Sequence, residues 1–299
     1  MGNLIQIVKP AIITSIQDTG RVGYRNLAIP RSGCIDAYSQ RLANYLVHNS
    51  PEKPVVEFIG GTLVIKALEN ILIGISGVEI KIEVDDDELA SNHTIKLEKG
   101  QILKATSDLG YLAINGGWNG TSHFNSISTY PLARLGGLNG SYLQKDDILF
   151  GAPIKSKALY FDPELYPKKG KLIRIIKGPE FNDGMDELEN FEWEVQSNSN
   201  RMGIRLKSLF RANLNSISPV PVYPGTIQMT PDNTLIALLR DGQTTGGYPR
   251  IGQILKADLP RMARAITGGT LKFNFVKIEE AREIYDRQQT FIERALKID

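Results

Sequence analysis

The chain has 299 residues, 41% of them apolar and 23% charged, ordinary globular values that suit one large domain or two medium ones. Its formal charge of +2 lacks the basic excess or basic stripe of a nucleic-acid binder. A single cysteine, Cys34, rules out an intrachain disulfide, and no apolar run approaches the roughly 18 residues of a membrane span.

The opening MGNLIQIVKP has neither the basic nor the apolar region of a signal peptide, and Gln6 stands where a myristoylation pattern wants Ser or Thr. The expectation is a soluble cytoplasmic protein, in which the sequons at Asn92, Asn119 and Asn139 are chance matches.

In chain order, the first dense polar stretch is QDTGRVGYR (17–25). Its Arg21 and Arg25 can each grip a carboxylate bidentately, with Asp18 placed to orient one of them. SGCID (32–36) follows, and Asp36 can cap a helix AYSQRLANYLVHN with Tyr38, Leu42, Tyr45 and Leu46 near one face. Asn44 is expected on that helix surface and Asn49 at its C-cap. Cys34 has no neighbouring histidine to activate it and reads as a small buried thiol.

Strand patterns come next: TLVIK (62–66), ILIGI (71–75), and a strict alternation VEIKIEV from Val78 to Val84 that runs into an acidic turn at 85–87. QILKA (101–105) and LGYLAIN (109–115) are two further strands. NGGWNG (115–120) and LGGLNG (135–140) are turn clusters. A Pro- and Lys-rich stretch, 156–170, separates two β-rich halves, so domains are expected at 1–155 and 156–299. GGTLVIK (60–66) and GGTLKFN (268–274) echo each other across the halves. They are either a trace of similar halves or two unrelated Gly-Gly turns entering strands.

The second half offers KLIRIIK (171–177), TLIALL (234–239) and TLKFNF (270–275) as strands. Many short strands at close spacing suggest sandwiches or barrels, a mainly β class. SNRMGIRL (199–206) places Asn200, Arg201 and Arg205 around a glycine. In GTIQMTPD (225–232), Gln228 alternates with Ile227 and Met229 and faces away from them, a reasonable ligand contact beside a polar loop. The C-terminal EEAREIYDRQQTFIERALK is helical by propensity, with a stripe of Ile284, Tyr285, Phe291 and Leu296 expected to pack.

Between TLIALL and QILKADL lies RDGQTTGGYPRIG (240–252). Gly242 and Gly247 have the separation of a Walker loop, but Tyr248 and Pro249 stand where Lys and Ser/Thr are required. The loop is therefore no phosphate cradle. Gly246 and Gly247 let backbone N–H groups approach a ligand. Gln243 supplies an amide, Thr244 and Thr245 hydroxyls, and Asp241 a carboxylate. That set suits an amide, carboxylate or ureido group, and a polar β-turn is the plainer alternative. The absences agree: the three histidines (His48, His93, His123) are unclustered, and there is no H-E-x-x-H or G-x-S-x-G. His123 beside SHFNSIS has triad chemistry only in principle.

Taken together, QDTGRVGYR, SGCIDAYSQRLANYLVHN, EFIGGTL, SNRMGIRL, PGTIQMTPD and DGQTTGGYPRIG resemble the successive signatures of the allophanate hydrolase subunit 2 family. It is also called the biotin-dependent carboxyltransferase family, and it includes the C subunit of bacterial 5-oxoprolinase and KipA-type proteins. The resemblance runs from about Ile12 to Phe275. It implies two cyclophilin-like β-barrel subdomains with a few helices.

The resemblance also implies an ATP-dependent 5-oxoprolinase complex with a subunit-1 (B, KipI-like) protein and the 5-oxoprolinase A subunit, opening 5-oxoproline to glutamate. Two alternatives are a carboxyltransferase component of a biotin-dependent urea or amide carboxylase and a non-catalytic KipA-type partner of a kinase inhibitor. The chain has no biotin-attachment Met-Lys-Met, so biotin would arrive on another chain. The site residues so implied are Asp18 and Asp241 as base or orienter. Gln17, Arg21, Arg25, Asp36, Arg201, Gln228, Gln243, Thr244, Thr245 and Tyr248 would bind substrate. One departure stands out: the family's G-R-x-L-x-x-G-D reads GSYLQKDD (140–147) here, with Ser141 for Arg and Asp146 for Gly.

Overall fold

Two 13-residue strands, Val55–Ala67 and Ile102–Ile114, organise the first half of the chain. The second of them joins what reads in sequence as two strands. Thr106, Ser107 and Asp108 look like a break, but the Ser107 hydroxyl bonds the carbonyls of Val78 (3.2 Å) and Leu109 (3.1 Å), so the polar residue is satisfied inside the sheet.

The structure, a computed structural model, describes residues 2–91, 93–152, 158–161 and 170–296. Most of the 156–170 stretch lies outside them. The chain divides into two units: Met1–Arg21 with Ser32–Lys168, and Val22–Arg31 with Lys169–Asp299.

The first unit carries β1 (Gly2–Lys9), β2 (Ile13–Gln17), α1 (Ala37–Tyr45), β3 (Val55–Ala67), β4 (Ile71–Gly77), β5 (Lys81–Val84), β6 (Asp87–Leu89), β7 (Thr94–Leu97), β8 (Ile102–Ile114) and β9 (Ile148–Gly151). They form one sheet with the path β6-β5-β8-β3-β1-β9, while β2 pairs with β3 and β4 with β7 and β8. Strand β3 changes partner midway: Val55–Ile59 pairs with β2, and Val64–Ala67 with β1. Gly60 and Gly61, at φ 73° and 95°, sit at the changeover, where a Cβ would be strained.

The core gathers Val56, Phe58, Ile65, Ile73, Leu103, Leu112 and Trp118, each large side chain contributing roughly 1.5–3 kcal/mol by burial. The alternation at Val78–Val84 yields a strand only from Lys81, because Glu79 adopts φ 51° in a turn.

Asp36 caps α1, accepting from Tyr38 N (3.0 Å), Ser39 N (3.2 Å) and Ser39 Oγ (2.7 Å). Tyr38 and Leu42 face inward, as expected. Asn44, expected on the surface, is fully buried instead. Its amide donates to Lys53 O (2.8 Å) and accepts from Asn49 Nδ2 (2.9 Å), which meets its polar demand. Cys34 is buried.

The second unit carries β10 (Leu172–Lys177), β11 (Trp193–Val195), β12 (Gly203–Lys207), β13 (Val220–Pro221), β14 (Thr226–Met229), β15 (Leu235–Leu238), β16 (Thr245–Gly246), β17 (Arg250–Ile254), α2 (Leu259–Arg264), β18 (Thr270–Phe275) and α3 (Ile278–Ala295). Seven strands close a barrel in the order β10-β17-β14-β15-β12-β11-β18, sealed by the parallel pair β10/β18. Trp193, Ile204, Ile227, Leu235 and Phe273 are buried in this unit.

The mainly β expectation holds. The two Gly-Gly echoes share positive φ values but enter different architectures, an open sheet and a closed barrel. Helix α3 keeps part of the expected stripe: Leu296 is buried as expected, but Phe291 is 38% exposed and Ile292 is buried instead.

Candidate functional site

The stretch QDTGRVGYR divides between the units after Arg21: Arg21 belongs to the first and Arg25 to the second. In the first unit, Gln17 is fully buried at the end of β2. Its amide donates to Ser15 Oγ (2.9 Å) and Thr129 O (3.2 Å) and accepts from Gly33 N (3.1 Å).

Asp18 accepts from Gly20 N (2.7 Å), Ser126 Oγ (2.6 Å), Ile127 N (2.8 Å) and Ser128 Oγ. A carboxylate offers about four lone-pair sites, so in this arrangement Asp18 anchors segment 126–128. Buried Arg21 donates to Ser128 O in the same segment. His123 Nδ1 accepts from Gly136 N at 3.2 Å, a structural contact.

Asp36 belongs to a neighbouring buried network. Its N–H donates to Tyr111 Oη (2.9 Å), which donates to Glu57 Oε2 (2.7 Å). Burial, aided by the Glu57 carboxylate, pushes the Tyr111 phenol well above its usual value, so it stays protonated as the donor.

In the second unit the polar loop leaves β15 over a buried ion pair. Arg201 Nε and Nη2 reach Asp241 Oδ2 (2.8 Å) and Oδ1 (3.2 Å), with both side chains 3% exposed or less. Asp241 N also donates to Arg201 O at 3.0 Å. This clamp ties the SNRMG turn to the start of the loop. Arg250 closes the loop's far end on Glu180 with three bonds of 2.7–2.9 Å. That pairing holds the Glu180 carboxyl below its ordinary value.

Between the clamps, β16 pairs with β13, and Val222 N donates to Thr244 O at 3.0 Å. Buried Gln228 donates to Tyr248 O (3.0 Å) and accepts from Gln243 Nε2 (3.3 Å). Gly246 lies against that amide, and a Cβ there would sit 2.5 Å from Gln228 Nε2.

Arg25 reaches the loop from the 22–31 segment. Its Nη2 donates to Val222 O and, at 3.5 Å, to Gln243 O, and the guanidinium lies 5.1 Å from the Tyr223 ring centroid. Nη1 is buried with no hydrogen-bond partner among the described residues. Burial lowers the guanidinium's affinity for its proton, an effect Tyr223 opposes.

A cavity of about 380 Å³ opens here, lined by Arg25, Asn26, Ala28, Pro221, Tyr223, Thr244 and Thr245. The arrangement therefore offers one cation, two hydroxyls and an adjacent amide. Such a set binds a carboxylate and polarises an amide carbonyl. Tyr223 is not legible as a site residue: in PVYPGT it reads only as part of a turn, which its N–H to Thr226 Oγ1 (3.0 Å) does stabilise. Among the described residues no group of three or more His, Cys, Asp or Glu could hold a metal. None of their helices is long and apolar enough to cross a membrane.

The model of the carboxyltransferase domain, subdomain A and B, matches residues 27–275. The 5-oxoprolinase C subunit of Escherichia coli (strain K12) is 29% identical over 301 residues, covering 97% of each chain. Its Haemophilus influenzae counterpart is 29% identical over 99% of this chain and 98% of its own. Urea amidolyase of Saccharomyces cerevisiae is 30% identical over 96% of this chain, which spans 17% of that protein. Among solved structures, Kluyveromyces lactis urea amidolyase superposes with a TM-score of 0.87 at 25% identity, over 98% of this chain and 20% of that one.

Proposed function

This chain belongs to the carboxyltransferase domain, subdomain A and B, family, and we propose from that premise that it is the C subunit of a 5-oxoprolinase-type hydrolase, opening 5-oxoproline to glutamate with a subunit-1 partner and a third, A-type protein. End-to-end similarity to two proteins that carry the 5-oxoprolinase C-subunit name supports this choice. The observation that carries it is the Arg25 cavity, where a guanidinium with a buried, unpartnered Nη1 stands beside the Thr244 and Thr245 hydroxyls.

In this reading Arg25 takes the substrate carboxylate. The Thr244 and Thr245 hydroxyls and the Gln243 amide face the lactam and donate to its carbonyl oxygen as negative charge develops there. Gln228 fixes the Gln243 amide and is itself held by the Tyr248 carbonyl. Asp241 with Arg201 orients the loop, and Asp18, Gln17 and Asp36 order their own unit with Arg21, through the bonds described above.

ATP, bound elsewhere in the assembly, would supply the driving force for opening a stable amide. The Arg25 cavity has one guanidinium and no carboxylate on its wall to hold a metal–triphosphate, so its lining does not fit ATP.

Reconstitution of the chain with its two partner proteins tests the reading. ATP-dependent glutamate release from 5-oxoproline is expected, and no release by the full assembly would sink it. A second reading, carboxyl transfer from carboxybiotin, draws on the likeness to urea amidolyase. It predicts a biotinylated carrier that co-purifies with the chain on a streptavidin blot.

A further inference from the structure

A second, larger cavity of about 550 Å³ lies in the same unit, walled on one side by helix α3. Its lining includes five cations, Arg25, Arg31, Arg240, Lys256 and Arg282, against a single carboxylate, Asp286. The balance is 5 − 1, or four positive charges in excess. Most of the remaining wall is apolar, with Ile176, Ile254, Leu255, Leu259 and Ile278, and Gln253 adds an amide. Lys256 crosses it, donating to Tyr285 Oη at 2.8 Å with its ammonium 4.7 Å from that ring's centroid.

The α3 wall follows from helical spacing. Ile278, Ala281 and Tyr285, at i, i+3 and i+7, share one face and line the cavity. Further along, Gln288 Nε2 holds Ala257 O at 3.5 Å, and buried Ile292 and Leu296 seat the rest of the helix. The family model ends at residue 275, before this helix begins, so the wall is not among the elements that model describes.

A cavity in the size range of small-molecule sites, with an apolar body and converging cations, selects its ligand by chemistry. A neutral apolar molecule brings no charge to answer the positive excess of the lining. Simple inorganic anions leave the apolar wall wet. We infer that the α3 cavity binds a small amphipathic organic anion, one with a flat or apolar body and a carboxylate or phosphate head.

This site is separate from the loop cavity's lactam chemistry and stands whether or not that assignment holds. Arg25 and Tyr223 line both cavities.

The test uses the full chain and the dye 8-anilinonaphthalene-1-sulfonate, read by fluorescence titration. One saturable site is expected. The uncharged analogue N-phenyl-1-naphthylamine should bind at least about tenfold more weakly, because charge-assisted contacts are absent. Ala281→Trp fills the cavity and should abolish the site, with circular dichroism and melting checked for retained fold. Exposed Arg282→Glu, which leaves packing intact, should weaken the dye about tenfold.

Displacement by ADP would identify a phosphate head, and displacement by 1-naphthylacetate a carboxylate head. Displacement by neither, equal binding of the neutral dye, or undiminished binding to both variants would overturn the proposal.

Discussion

The Arg201–Asp241 pair gives the sharpest stability prediction. Both side chains are at most 3% exposed, and the guanidinium meets the carboxylate through two bonds of 2.8 and 3.2 Å. Removing either partner strands a charge out of water, which costs about 3–5 kcal/mol. Arg201→Met and Asp241→Leu should each lose that much. The double variant leaves no charge behind, so its loss should fall short of the sum by about 2 kcal/mol or more.

The assay is urea unfolding followed by tryptophan fluorescence in a Trp118→Phe background. Only Trp193, in the barrel core, then reports, so the transition belongs to the second unit. Strictly additive losses, or single losses under about 1 kcal/mol, would refute the reasoning that the pair is a desolvated clamp.

Three further outcomes follow from the same geometry. Gly246→Ala puts a methyl 2.5 Å from Gln228 Nε2. It should cut kcat of the reconstituted complex at least about tenfold while costing the fold only about 1–3 kcal/mol. Asp146, where the family pattern has glycine, holds φ 70°. Asp146→Gly should therefore raise stability by about 0.5 kcal/mol in a urea titration, the relief exceeding the exposed Gln6 bond that is lost.

Glu180 has its folded-state carboxyl held down by Arg250, so its contribution is present above the ordinary value of 4.5 and is lost as pH falls below it. Protection of the amides of residues 243–248, relative to their intrinsic exchange rates, should fall below pH 4.5, and Glu180→Gln should show reduced protection already at neutral pH.

Some of this is legible in the sequence for simple reasons. Asp36 is an N-cap because its spacing to Ser39 allows nothing simpler, and the 85–87 turn follows from Asp85 and Asp86 adopting positive φ. TLKFNF alternates as a barrel strand should. The failures share a cause: the deciding partner is distant. Ser107 looks like a strand break until Val78 O is placed beside it. Asn44 looks solvated until Lys53 O accepts its amide.

Among the site residues, the chemistry of Gln243, Thr244 and Thr245 is readable, since their side chains reach the surface with few internal partners. Asp241 and Arg201 read as ligand groups because nothing within 40 residues of sequence announces that they bond each other. Nor does composition reveal that Val22–Arg31 groups with the second unit, so that Arg25 and Arg21 belong to different units.

The most direct test of the account is turnover by the reconstituted complex carrying Gln243→Ala with Thr244→Val. The account predicts that the complex assembles unchanged and that ATP-dependent glutamate release falls at least about 100-fold, because two oxyanion donors are gone. Release at the unaltered rate from an intact complex would contradict it.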